Sequence, residues 1–272
     1  MTLALTACST SPSAVDTTMP IHMAETRLAD TTVVRKTGGG ALTIIADLSA
    51  SYPQPVAADD SVTRTAQRLY IRHLLEQPDS LNIEQALHAV AANTLHQNDF
   101  DAAQAEPEAA DATLLEAIDT DTVTDYRTTT TIAVLRHEVE MVTFQRVDVI
   151  KKNGNVSAVA HRYYTIDTRD GALVTPRRLF NDEALPVVTR MLRDRLMAQN
   201  NVSSNEQLNE LGYYNAENLV VGPNFYITAD GVTWSYLPGE LAVEAVGEPT
   251  ITISLDDLRS LLSPTSPLHR YR

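Results

Sequence analysis

Hydrophobic positions change period along the chain. "ALTIIADLSASYPQ" (Ala41 to Gln54) is β-rich and closes at a proline, which predicts a strand. Val62, Ala66, Leu69, Tyr70 and Leu74 then recur at helical spacing. A second helical stripe follows in Ile83, Leu87, Val90 and Ala91, with Asn82 and Gln85 forming a capping box at its start. From Thr128 the period becomes two. "TTTTIAVLRHEVEMVTFQRVDVIKK" is long enough for two strands or one bent strand, and Asn153-Gly154 is a hairpin signal leading into "SAVAHRYYTID", which closes at Asp170-Gly171. Val188, Leu192 and Leu196 predict a helix that tolerates Pro186 only in its first turn. A shorter helix is expected from Ser203, with Glu206 completing its box and Gly212 stopping it. "NFYITADGVTWSY" reads as a hairpin turning at "ADGV", and "LPGELAVEAVG" as an irregular loop. One more strand follows, then a closing helix announced by Ser254 and Asp257 and ended by Pro264. The order predicts an α+β fold, a mainly antiparallel sheet with packed helices, in two small subdomains.

Charge changes the picture only locally. The 272 residues are 43% hydrophobic and carry a formal charge of -14. Between His73 and Tyr126 there are twelve acids and no Lys or Arg, leaving 23 acids against 21 bases elsewhere. An acidic segment repels phosphate backbones, so nucleic acid is not an expected partner. No apolar run approaches the roughly 20 residues of a membrane-spanning helix. Residues 98–125 form an alanine-rich acidic insert. Its pairs Asp99/Asp101 and Asp119/Asp121 lack the central glycine and bidentate glutamate of a calcium loop, so no metal is expected. Gly38-Gly39-Gly40 lacks the Gly-Lys-Ser/Thr ending of a phosphate loop and reads as a turn.

The single cysteine, Cys8, closes "LTAC", which resembles a bacterial lipobox, and "STSPSAVDTTMP" behind it has the composition of a flexible tether. Residues 1–30 are accordingly expected to be a truncated lipoprotein signal and tether, with Cys8 the lipidated residue. Only seven residues precede Cys8 and none is basic, which implies a leader that starts upstream or has been trimmed. A multiply acylated cysteine anchors stably in a bilayer, since each buried methylene contributes about 0.8 kcal/mol.

The second half carries a family resemblance. "HRYYTIDTRDGALVTPRRLF" matches a tyrosine-rich strand running into a turn at Asp167, Gly171, Leu179 and Phe180. A second signature follows at Asn224, Phe225, Ile227, Gly231, Val232, Glu240, Leu241 and Gly247, with Trp234 and Tyr236 in its aromatic positions. This order resembles the envelope domain of unknown function at the C-terminus of RsiV-type anti-sigma factors and PdaC-type peptidoglycan deacetylases. The resemblance implies a PdaC-like N-terminal domain over 31–152 and an RsiV-like C-terminal domain over 153–265. The pattern departs at Pro238-Gly239 and before His161, to which no role is carried over.

Catalytic motifs are not found. His137-Glu138 begins a zinc-protease pattern, but position 141 is methionine, and no Gly-x-Ser-x-Gly elbow occurs. The deacetylase's separate metal-binding domain has no counterpart, so no cofactor is expected. The expected function is a lipid-anchored cell-envelope module that binds or senses peptidoglycan or an envelope protein such as lysozyme. The alternative is a peptidoglycan hydrolase working through carboxylates. The candidate ligand-facing residues are Glu240, Trp234 and Tyr236. The competing reading has Glu240 bonded within its own turn and both aromatics in the core.

Overall fold

A computed structural model describes residues 3–9, 21–35, 41–104, 124–138, 140–228 and 230–270. Six strands, β1 (Leu3–Ser9), β2 (Met23–Arg35), β3 (Ala41–Pro53), β4 (Asp125–Glu138), β5 (Met141–Lys152) and β6 (Asn155–Asp167), form one sheet in sequence order. Every neighbouring pair is antiparallel except β3 with β4. That parallel pair requires a crossover, supplied by α1 (Ser61–His73) and α2 (Ile83–Gln104). A second sheet of three short antiparallel strands, β7 (Phe225–Ile227), β8 (Val232–Ser235) and β9 (Thr250–Ile253), follows α3 (Pro176–Leu179), α4 (Leu185–Gln199) and α5 (Asn205–Glu210); α6 (Leu255–Leu258) closes the order. The α+β class expected from the pattern is the one observed.

Strand β3 shows why the helices lie on one side only. Leu42, Ile44, Ala46, Leu48, Ala50 and Tyr52 are buried, while Thr43, Ile45, Asp47, Ser49 and Ser51 between them are half-exposed. Period-two alternation puts the first set under α1 and α2. There Tyr70 is fully buried, stands edge-on to Phe144 at 5.3 Å and donates its hydroxyl to the Ser51 carbonyl at 2.9 Å. Helix α1 is started by Asp60, whose carboxylate accepts from Thr63 N, and α2 by the reciprocal Asn82–Gln85 pair. At the other end of α1, buried Arg146 donates to the Leu74 carbonyl and is held by Asp148 at 2.9 Å.

Several expectations change here. Met23–Asp30, assigned from sequence to the tether, lie in β2, and Leu3–Ser9, with Cys8 opposite Ala29, pair beside it. Over Met23–Asp30 the strand is hard to read because its helix-facing row is Ala24, Thr26, Leu28 and Asp30, with one large apolar residue. The boundary expected between 152 and 153 falls inside the β5–β6 hairpin. Tyr164 and Ile166 of β6 belong to the core under α1 and α2, together with Val142 and Phe144. The second core, around Leu192, Phe180, Trp234 and Ile251, begins beyond Asp167 and reaches back only to Met141. The short helix starts one residue late: Ser204 accepts from Gln207 N, and Gln207 Oε1 from Ser203 N. The side chain of Cys8, the tether at 10–20, Gly38 to Gly40, and the insert from 105 to 123 lie outside the described residues.

Candidate functional site

Of the residues proposed to face a ligand, the two aromatics do not. Trp234 is 1% and Tyr236 4% exposed. Trp234 packs between Phe180 and Phe225, and the Tyr236 hydroxyl donates to the Val220 carbonyl at 3.0 Å. Burying two large rings in a strand core removes more apolar area from water than any surface placement could. Glu240 is exposed, but its carboxylate accepts from Leu237 N at 2.9 Å and so closes its own turn. The ligand-facing assignment is corrected to a structural one for Trp234 and Tyr236.

The rest of the signature is also structural. Strand β6 is the edge of the large sheet, so its outward peptide groups need partners. Asn224 supplies them: Oδ1 accepts from Tyr163 N at 2.8 Å, and Nδ2 donates to the carbonyls of His161 and Ser235, each at 3.1 Å. One amide thereby copies a strand's hydrogen-bonding edge and ties the two sheets together. Gly231 lets the backbone pass close to β9, where an added Cβ would stand 2.0 Å from the Ile253 carbonyl oxygen. Asn224→Ala leaves three part-buried backbone groups without this partner. It is expected to cost about 2 kcal/mol by denaturant titration, with faster hydrogen exchange at Tyr163.

What the junction does present is a ledge. Cross-strand register aligns Ser49, Thr131, Val147 and His161 in one row of the sheet face opposite α1 and α2, and Ala133, Gln145 and Tyr163 in the next. At the β6 edge the small sheet rises beside these rows. The Tyr163 and Tyr226 rings meet at 4.4 Å between centroids, and the His161 ring stacks on Tyr163 at 6.5 Å and 11°. His161 Nδ1 bonds Glu248 Oε2 at 2.7 Å, and Glu248 Oε1 accepts from Ser235 Oγ at 2.7 Å. Both carboxylate oxygens are occupied, so the imidazole is held with Nε2 unpaired among the described residues. The Ser235 hydroxyl bonds the carboxylate rather than the imidazole, so the three do not form a nucleophile relay.

The Tyr163 hydroxyl accepts from Gln145 Nε2 at 3.3 Å. Burial pushes its pKa up; the Gln145 bond opposes this, and nearby Tyr226 and Glu248 add to the rise. It therefore remains a protonated hydrogen-bond donor through neutral and mildly alkaline pH. Sequence reading gave this patch no role, although the spacing of His161 and Tyr163 put both on one strand face. Nothing local linked them to Tyr226 or Glu248, which arrive by tertiary packing. Among the described residues no group of three or more His, Cys, Asp and Glu side chains could hold a metal ion.

The signature that holds this junction together lies within a recognised segment. Residues 177–256 match the family of proteins of unknown function DUF3298. Two solved DUF3298 structures share the overall fold. A family member from Bacteroides fragilis NCTC 9343 aligns with a TM-score of 0.62 at 16% identity, covering 87% of this chain and 94% of its own. A protein from Pseudomonas aeruginosa PAO1 aligns at 0.52 and 11% identity, covering 89% and 94%. No curated protein matches the chain. The DUF3298 segment comprises α4, both signature strands and the final strand, while the large sheet precedes it. No described helix is long and apolar enough to cross a membrane.

Proposed function

We propose that this protein is a cell-envelope binding module that holds a glycan strand of peptidoglycan without cleaving it, tethered to a bacterial membrane through acylated Cys8 once the leader ahead of it, which includes Leu3–Ala7 of β1, is removed. The observation that carries the reading is the aromatic ledge of His161, Tyr163 and Tyr226. Sugar rings bind through apolar C–H faces stacked on aromatic rings and hydroxyls bonded to fixed planar polar groups. Gln145, the Tyr163 hydroxyl and the His161 imidazole are such groups, and all border the stacked rings. The row of Ser49, Thr131 and Val147 extends the surface away from the ledge, giving a long polymer room to continue. Among the carboxylates open to the alternative hydrolase reading, Glu240 is engaged with the Leu237 amide.

Retention on purified peptidoglycan tests the proposal. Wild-type protein is expected to sediment with the sacculi, and Tyr163→Ala combined with Tyr226→Ala to weaken binding about tenfold or more. Circular dichroism should be unchanged. Failure of the wild type to bind, or retention of the double variant at full strength, removes the glycan assignment. Selective capture on immobilised lysozyme instead would point to a protein ligand. Palmitate labelling of cells should be lost in Cys8→Ala, and an unlabelled wild type would refute the anchor.

A further inference from the structure

We propose a second ligand site, separate from the ledge, in the cleft between α3, α4 and the segment at Val220–Val221: a site for an amphiphilic anion, in which a carboxylate or phosphate group is joined to an apolar body. The cleft has a volume of about 700 Å³, and the residues that carry the argument are Arg177, Arg190, Arg193, Leu185, Val220 and Val221. All lie within the segment matched by DUF3298.

Charge is the first reason. In a chain of formal charge -14, this cleft gathers three arginines against one lining carboxylate, Asp182. Among the described residues Asp182 pairs only with Arg177, at 3.7 Å with both side chains about 80% exposed, a pairing of little strength. Arg193 is oriented without being neutralised, since Nε donates to the Ala216 carbonyl at 3.4 Å and Nη2 to the Glu217 carbonyl at 2.9 Å. Backbone carbonyls fix a guanidinium while leaving its net charge available to an anion. Arg190 is exposed and forms no hydrogen bond or ion pair among the described residues.

The floor is the second reason. The opposite stripe of α4, Val188, Leu192 and Leu196, fills the core. The outward stripe sets Leu185 and Pro186 one turn before Arg190, and Val220, 63% exposed, and Val221 come up beside them. An apolar strip ending at two unneutralised arginines recognises both halves of an amphiphile. Inorganic phosphate would satisfy only the arginines. Such a ligand is either a free small molecule or the headgroup region of an anionic lipid.

Calorimetric titration of the whole protein with hexyl phosphate, inorganic phosphate and hexanol, together with flotation on phosphatidylglycerol vesicles, tests the site. Hexyl phosphate is expected to bind at one site, with inorganic phosphate and hexanol each at least tenfold weaker. Arg190→Glu should weaken hexyl phosphate tenfold or more, and because Arg190 holds nothing else, the melting temperature should not move. Arg193→Lys, which keeps the charge but loses the forked anchor, should weaken it by a smaller factor. Vesicle binding abolished by Arg190→Glu assigns a lipid source; hexyl phosphate binding without vesicle binding assigns a free ligand. Binding of neither probe, equal binding of inorganic phosphate, or an unchanged affinity in Arg190→Glu overturns the proposal.

Discussion

Asp167→Ala should lower the unfolding free energy by about 3–5 kcal/mol, the usual consequence of removing one partner from a buried ion pair. Asp167 has no exposed side-chain surface, and its carboxylate receives the backbone N–H and Nε of Arg169 at 3.0 and 2.9 Å and Nη2 of Arg178 at 2.8 Å. It thus joins the end of β6 to α3, where one core gives way to the other. Asp167→Asn keeps the shape but turns an amide N–H₂ toward a guanidinium, so it should recover only part of the loss. Equilibrium urea unfolding measures both; wild-type stability in Asp167→Ala would show that the partly exposed arginines relax into water.

The same carboxylate predicts a pH dependence. Burial pushes its pKa up, but the bonds and positive charges of Arg169 and Arg178 outweigh burial and hold it below the usual range. Because the folded pKa is the lower one, the contribution is complete above the unfolded value of about 4. It disappears as pH falls through the depressed native value. The stability difference between wild type and Asp167→Asn should therefore be constant from about pH 5 to 8 and shrink below about pH 4.

Gly171→Ala is expected to be comparably severe, about 3 kcal/mol or more. Gly171 closes the turn after β6 at φ 72°, its N–H donating to the Asp167 carbonyl at 2.8 Å. An added Cβ would lie 2.3 Å from the Val62 carbonyl oxygen and 3.0 Å from Ala66 N, both backbone atoms of α1. Left-handed geometry alone costs a side-chain-bearing residue about 1–2 kcal/mol; the remainder comes from pushing the turn off the first turns of α1. Thermal unfolding should shift down by roughly 6 °C or more. A shift under about 2 °C would mean that turn and helix separate easily.

These residues also show what could be read from the chain. Local signals served well where one short-range interaction decides the outcome. Asn82 with Gln85 starts α2, Asn153-Gly154 turns the β5–β6 hairpin with both residues at positive φ, and Ser254 starts α6 by accepting from Asp257 N. Strand β2 escaped because Leu28 is the one large apolar residue among Ala24, Thr26, Leu28 and Asp30 of its inward row, so its own side chains give little period-two signal. Trp234 and Tyr236 were visible as aromatics, but a strand core and a binding surface use the same residue types. All four residues of β8 are buried, so no alternation along it marks a core side, and the cover comes from distant elements such as α4, packed against β9. The ledge and the arginine cleft needed contacts between residues far apart, such as His161 with Glu248 and Arg193 with Ala216.

The one parallel pairing in the large sheet also bears on how the chain reaches its native state. The strands β1 to β3 and β4 to β6 are each successive antiparallel neighbours that can form from nearby residues. Their seam aligns Thr43 with Asp125, more than eighty residues away. Closing such a loop costs entropy before any ladder bond compensates, and distant pairings slow folding. The two meanders should accordingly gain hydrogen-exchange protection early and separately during refolding, with the amides of β3 and β4 at their shared seam protected last.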